Sequence, residues 1–468
     1  MRETIRKTEQ KQKEKRNVRE GRRNRKMKNY NFNIIKNEQG ITLVALVVTI
    51  IILIILATVA INFAFGSNGL IRRAEDARDY YANDTAYTDE SMANVESYLD
   101  ELISGVGGGD TVLPADGSFS EEKGVNTPKL GANMDLVVFD ADRNEWRVDS
   151  TNSGYSYKEQ TGTTENGGTS EWANAKVTTQ VGDQTIESYF VWIPRYAYKI
   201  DSTNRTIDIK FIKGTGKETV DGTPCKYASE NPTADDYIVH PAFTNEEENG
   251  GWDSQIAGIW VGKYETSSVE GNSNSTGDNV TTKTAQVRPG VSSWRYIEIA
   301  NMFTVAKAYA PNLESHMLKN SEWGAVAYLT ESKYGRNGTE VTINNNGETY
   351  FTGGGDNNAY VTNTPQSSTG NVYGIYDLSG NAYERVAAGY SNQSSIETTN
   401  GSTKYATVYD KANPSTGYKY GDATNETSGW HSDSALFVDS GVPFFDRGGN
   451  YRSGDYAGVF DFYYNKRW

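Results

Sequence analysis

The residues of this chain that could do chemistry are few and scattered. The single cysteine, Cys225, leaves no thiol pair and no multi-cysteine zinc site. The three histidines, His240, His316 and His431, lie far apart, without a local spacing such as H-x3-H, so a histidine metal cluster is not expected. Gly353-Gly354-Gly355-Asp356 is glycine-rich but has no lysine to meet a phosphate. What the sequence does concentrate is a binding palette. Trp430-His431-Ser432-Asp433 and the tract from Asn450 to Asn465 mix tyrosine with Ser, Gly, Asn and Asp. That mixture gives large contact area at low entropy cost and suits recognition better than catalysis.

The elements that must carry this tract are unlike one another. The chain has 468 residues, enough for two or three domains, and at 36% hydrophobic content it is not a polytopic membrane protein. Its net charge of −14 is an average. Residues 1–40 carry 14 basic and 5 acidic side chains, a net of +9 that leaves −23 on the other 428. The basic head is followed by residues 41–61, ITLVALVVTIIILIILATVAI, which contain no charge. At 1.5 Å per residue such a helix just crosses a ~30 Å hydrocarbon layer. A basic flank before it predicts the N-terminus inside and the rest of the chain outside, and argues against a nucleic-acid-binding arm.

Amphipathic spacing predicts helices over 68–81 (Leu70, Ala74, Ala77 and Tyr81 on one face) and 89–103, closed by the flexible Gly105-Val106-Gly107-Gly108-Gly109. From about Leu113 the pattern becomes strands and polar loops. Strands are expected at 134–139, 189–193, 207–212 and 258–264. One helix is expected after a Ser293 cap, with Ile299, Met302, Phe303, Ala306 and Ala310 on one face. Another is expected after a Ser321 cap, with Trp323, Val326, Ala327 and Tyr334 inward, ended by Gly335. Polar tracts at 151–170, 246–251, 267–283 and 336–369 read as loops, the last mostly solvated. This order suits an α+β domain with a mostly antiparallel sheet. Arg447-Gly448-Gly449 places a cation beside a flexible kink, where a buried Asp377 or Glu384 is the expected partner.

Three resemblances sharpen this reading. Glu38-Gln39-Gly40 followed by Ile41-Thr42-Leu43-Val44-Ala45-Leu46 resembles the type IV prepilin processing site, over roughly residues 37–80. It implies a prepilin peptidase that cuts between Gly40 and Ile41, methylation of the new N-terminus, and packing against other pilin-like subunits. Pilins usually carry Glu at the fifth mature position; here it is Ala45. Met27 begins a leader of ordinary prepilin length, which makes residues 1–26 an upstream extension.

Residues 190–468 resemble the formylglycine-generating-enzyme-like (sulfatase-modifying factor) family. The match rests on Ile259-Trp260-Val261-Gly262-Lys263-Tyr264-Glu265-Thr266-Ser267, on Glu322-Trp323-Gly324-Ala325-Val326-Ala327-Tyr328, on Gly374-Ile375-Tyr376-Asp377-Leu378-Ser379-Gly380-Asn381-Ala382-Tyr383-Glu384, and on Arg447-Gly448-Gly449-Asn450-Tyr451. The family has a C-type-lectin-like fold. The resemblance therefore implies an α+β protein. A long N-terminal hydrophobic pilin-like helix leads into a lectin-like head with mostly antiparallel strands and two main helices. The domains are a leader at 1–40, an anchor and stalk at 41–104, a linker at 105–127 and the head at 128–468. The family's closing Gly-Phe-Arg strand is missing after Tyr464.

Enzymes of this family use cysteine thiols late in the domain, and the chain has none there, so no catalytic residue is assigned. The alternative is a cofactor-dependent oxidative modifying enzyme. No cofactor is expected except structural calcium, which the resemblance places at Asn381 and Glu384. The tract RGGNYRSGDYAGVFDFYYN also resembles the variable region of diversity-generating-retroelement target proteins. On that resemblance Tyr451, Arg452, Ser453, Asp455, Tyr456, Asp461, Tyr463 and Tyr464 are the ligand contacts. The expected protein is membrane-anchored, with its head at the cell surface or on a pilus. It binds an extracellular protein or glycan and no nucleic acid.

Overall fold

A computed structural model describes residues 116–465, apart from 132, 141–144, 149–153, 162–167, 391–402 and 411–416. The chain divides into two units, Met1–Asp110 and Thr111–Trp468, and only the second falls among the described residues. The expected leader, processing junction, apolar helix and stalk helices lie outside them. No helix among the described residues is long and apolar enough to cross a membrane.

The described unit is α+β, with mostly antiparallel strands and two α-helices. It opens with a small hairpin, β1 (Phe119–Ser120) and β2 (Val125–Asn126). These residues lie within the expected linker, yet Asn126 is fully buried and donates to Gly214 O (2.8 Å) and Ala257 O (3.0 Å), so the folded unit begins earlier than the sequence suggests. Next come β3 (Met134–Phe139), β4 (Glu145–Val148), β5 (Asn174–Val181) and β6 (Gln184–Pro194). The chain goes on through β7 (Tyr196–Asp201), β8 (Thr206–Phe211), β9 (Cys225–Lys226), β10 (Tyr237–Val239) and β11 (Gly258–Gly262).

Two sheets result: β11-β6-β5-β3-β4, wholly antiparallel, and β8-β7-β10-β9, in which only β9 and β10 run parallel. The short pair β12 (Ser267–Ser268) and β13 (Ala285–Gln286) precedes the helices. A third sheet closes the chain, in the order β15 (Thr407–Tyr409), β14 (Glu384–Tyr390), β16 (Phe444–Arg447), β17 (Phe462–Asn465). The strands expected from the apolar runs at 134–139 and 189–193, from the alternation at 207–212 and at 258–264 are found as β3, β6, β8 and β11. In β8 every second residue, Ile207, Ile209 and Phe211, is buried, as a half-buried strand requires.

Helix α1 (Ile299–Tyr309) buries Ile299 and Phe303 against Met317, Ala387, Ala406 and Phe444. Its N-cap is Glu298, not Ser293, which lies five residues upstream and is buried beside Glu265. Helix α2 (Asn320–Glu331) is buried along its whole length, which explains its weak amphipathic signature. It starts after Lys319, whose N–H donates to the Glu322 carboxylate (2.9 Å); Ser321 instead donates to Gly250 O (2.7 Å). Gly324 lets α2 lie against another backbone, since a Cβ there would sit 1.8 Å from Gly421 O. Trp323 anchors the centre of the core, donating to Val459 O at 2.8 Å. A change to alanine there costs about 3–5 kcal/mol.

The tract 336–369 is not solvated as expected. Arg336, Asn344, Thr352, Ser367, Ser368 and Thr369 in it are buried. Such polar residues can leave water because they exchange its hydrogen bonds for internal ones. Thr352, for example, donates to Arg288 O at 2.6 Å. Arg447 also departs from expectation. Its guanidinium donates to Asn320 Oδ1 (3.3 Å) and Ala423 O (3.0 Å) and lies over the Trp323 ring, rather than pairing with Asp377 or Glu384. The outer edge of β17 is occupied: Phe462 N–H donates to Ser434 O (2.9 Å), and Leu436 N–H donates to Phe462 O (2.8 Å).

Candidate functional site: a tyrosine–arginine face on an acidic foundation

Under one end of the molecule three carboxyl groups meet. Glu265 follows β11, Asp377 sits in the turn before β14, and Glu384 is the first residue of β14. Glu265 accepts from Asn381 Nδ2 (2.7 Å) and Ala382 N (3.0 Å). Asp377 accepts from Asn344 Nδ2 (2.9 Å) and Gly353 N (2.8 Å), both supplied by the buried polar tract. Glu384 Oε2 and Asn381 Oδ1 are shut off from water and have no hydrogen-bond partner among the described residues. Burial raises the carboxyl pKa of all three. Proximity to Asp377 adds to the rise at Glu265, and proximity to both others adds to it at Glu384. Asn381 is held in the left-handed region (φ 55°), next to Gly380, which also has a positive φ. Gly448 packs so closely that a Cβ would lie 2.3 Å from Glu384 Oε2.

This foundation fixes the surface above it. Asn381 O accepts from Tyr451 N (3.1 Å), which ties the 448–456 loop to the turn. Within the loop, Asn450 Oδ1 accepts from Arg452 N (2.8 Å), Ser453 Oγ accepts from Asn450 N (3.0 Å), and Ser453 N donates to Asn450 O (2.8 Å). Outward from it runs a ladder of rings and cations. Arg452 lies 4.9 Å over the Tyr451 ring, Tyr451 meets Tyr350 edge-on at 5.1 Å, and Arg295 stacks 3.5 Å over Tyr350. Tyr296 flanks the ladder, 54% exposed. On its other side Tyr383, 41% exposed, lies beside Ser453 and near Tyr463.

The predicted contact residues separate into two groups. Tyr451, Arg452, Ser453, Asp455, Tyr456 and Tyr463 are exposed or half-buried, with Tyr456 63% exposed. Asp461 is buried beside Ser434, near Arg447, and burial pushes its carboxyl up to about 7; it faces the interior. Tyr464 is half-buried and packs against the main core. The sequence reading missed Arg295, Tyr296, Tyr350 and Tyr383. Three different loops bring them to the face, and no local pattern announces that.

The histidines are not assembled. His240 is enclosed by the rings of Tyr196, Tyr198, Phe243 and Tyr328. His316 pairs with Glu322 (3.0 Å), and His431 pairs with Glu331 (3.0 Å). Cys225 is half-buried and unpaired. No protein-family model matches the chain, and no curated protein matches it significantly.

Proposed function

We propose that this chain is a membrane-anchored, pilin-like surface protein whose lectin-like head recognises an extracellular protein or glycan without transforming it. One observation carries the recognition half: five separate segments converge on a single exposed face built of tyrosine and arginine. Rings held by a main-chain scaffold give contact area with little ordering cost on binding. The membrane half rests on the 21 uncharged residues at 41–61 and the prepilin-like junction at Gly40 and Ile41. In this reading prepilin peptidase frees Ile41, and the apolar helix packs in the membrane against other pilin-like subunits.

Structural calcium belongs to the same proposal. Asn381 Oδ1 and Glu384 Oε2 are buried oxygens without donors among the described residues, and a divalent cation would offset three neighbouring carboxylates. Two open oxygens fall short of a calcium shell, so backbone carbonyls or water would complete it.

Protein and glycan arrays test the recognition. The purified chain is compared with a Tyr451→Ala/Tyr456→Ala/Tyr463→Ala variant of the same melting temperature. The expected result is a small set of ligands that the variant loses. Unchanged retention of every ligand by the variant would place recognition elsewhere.

A further inference from the structure

We infer that Arg295 and Tyr350 form an anion subsite within this face, and that the ligand is an acidic polysaccharide carrying uronic-acid carboxylates. The inference rests on the recognition reading above and goes further by naming the ligand's chemistry.

The first ground is an unused cation. Among the described residues Arg295 has no hydrogen-bond or ion-pair partner. Its Nε is shut off from water without an acceptor, and its contacts are the rings of Tyr296 and Tyr350. The buried arginines of the unit are spent on oxygens: Arg195 on Ile256 O, Gln255 Oε1 and the carbonyls of Gly216 and Phe243, Arg336 on Glu340 O, and Arg447 on Asn320 and Ala423; the half-buried Arg385 pairs with Asp446. A guanidinium has five donors in a planar fork that matches a carboxylate. Stacking one of its faces on a ring fixes that plane while leaving the fork's edge to a ligand.

The second ground is what surrounds it. The exposed large side chains of the face are Tyr296, Tyr383 and Tyr463, with Tyr456 on its loop and Leu436 beside Tyr463; all but Leu436 are aromatic. Protein hot spots centre on well-packed, desolvated pockets. A face of ring surfaces, hydroxyls and guanidinium groups instead complements a ligand that alternates C–H patches with hydroxyls and carries an anion.

The test uses the full chain in detergent, immobilised and probed with polygalacturonate, its carboxyl-reduced counterpart, dextran sulfate and a protein array. Arg295→Gln, Arg295→Lys and Arg452→Gln are compared with wild type after matching melting temperatures. Polygalacturonate is expected to bind at least about 10-fold more tightly than the reduced polymer. Arg295→Gln should remove that preference and Arg295→Lys restore it only in part, because an ammonium cannot make the planar two-point contact. Equal binding of the acidic and reduced polymers overturns the inference. So does dextran sulfate retention that Arg295→Gln leaves unchanged with no preference for polygalacturonate, which would be generic polyanion attraction. Protein ligands that depend on Tyr451 but not on Arg295 overturn the anion subsite and keep the recognition reading. No ligand of either class overturns both.

Discussion

His240 makes the fold acid-sensitive in a way that can be measured. Its side chain is fully buried, ringed by four aromatic side chains, and Nδ1 accepts the Ala242 N–H at 3.2 Å, so the neutral ring carries its proton on Nε2. Burial depresses its pKa from 6.5 to about 3. A depressed value means that the contribution to stability is complete above pH 6.5 and is lost as the pH falls towards 3. At a pH of about 4.5 the unfolded chain binds the proton and the folded one does not, over a span of about 2 pH units. At 1.36 kcal/mol per unit the loss is about 3 kcal/mol. Glu426 works in the opposite direction nearby. It accepts from the Tyr198 and Tyr328 hydroxyls (3.1 Å each) and from Gly421 N, and burial raises it from 4.5 to about 7. Its contribution is present below 4.5 and is lost as the pH rises through 7, so acidification gains there what it loses at His240. The wild-type curve alone would hide both effects. The comparison with His240→Gln, which keeps an acceptor for Ala242 and does not titrate, isolates one. Urea midpoints taken from about pH 7 to about pH 4.5 should show wild type losing about 3 kcal/mol relative to the variant. Parallel curves for the two proteins would refute the reasoning.

Gly448→Ala should lower stability by about 2–3 kcal/mol, because φ is +76° and the new Cβ meets Glu384 Oε2. Gly454→Ala, with φ +58° and open space around it, should cost about 1 kcal/mol, and urea unfolding of both compares clash with backbone strain. Calcium at about a hundredfold excess over its Kd should stabilise the protein by about 2.7 kcal/mol, a shift of a few degrees in a thermal melt. Glu384→Gln should abolish that shift; a melt indifferent to calcium and to chelator removes the cation from the proposal.

The strands were legible because a half-buried strand writes its period into the sequence, as Ile207, Ile209 and Phe211 do. The helices were legible in existence but not in their starts. Ser293 and Ser321 have the right chemistry for caps, yet tertiary contacts take both: the first is buried beside Glu265, and the second bonds Gly250. The tract 336–369 was misread because a buried polar loop and a solvated one have the same composition. They differ only in partners as remote as Asn344 and Asp377, 33 residues apart. The face was half-legible for the same reason. Its 451–463 portion is one contiguous tract, whereas Arg295, Tyr350 and Tyr383 arrive from segments that nothing local connects to it.

The division between scaffold and face decides which of these side chains can change. The 448–456 loop is held by main-chain bonds, from Tyr451 N to Asn381 O, Ser453 N to Asn450 O and Ala457 N to Gly454 O, and by the side chains of Asn450 and Ser453. The outward parts of Tyr451, Arg452, Asp455, Tyr456 and Tyr463 take no part in those bonds. Substitution there should stay within about 0.5 kcal/mol of wild-type stability while altering what is bound. Asp461 sits in the same tract but is buried near Arg447, and its replacement removes one of the acids that face that guanidinium. If the tract is diversified, variation should therefore fall on the five outward positions and spare Asn450 and Asp461, because only the former can vary without unmaking the platform that displays them.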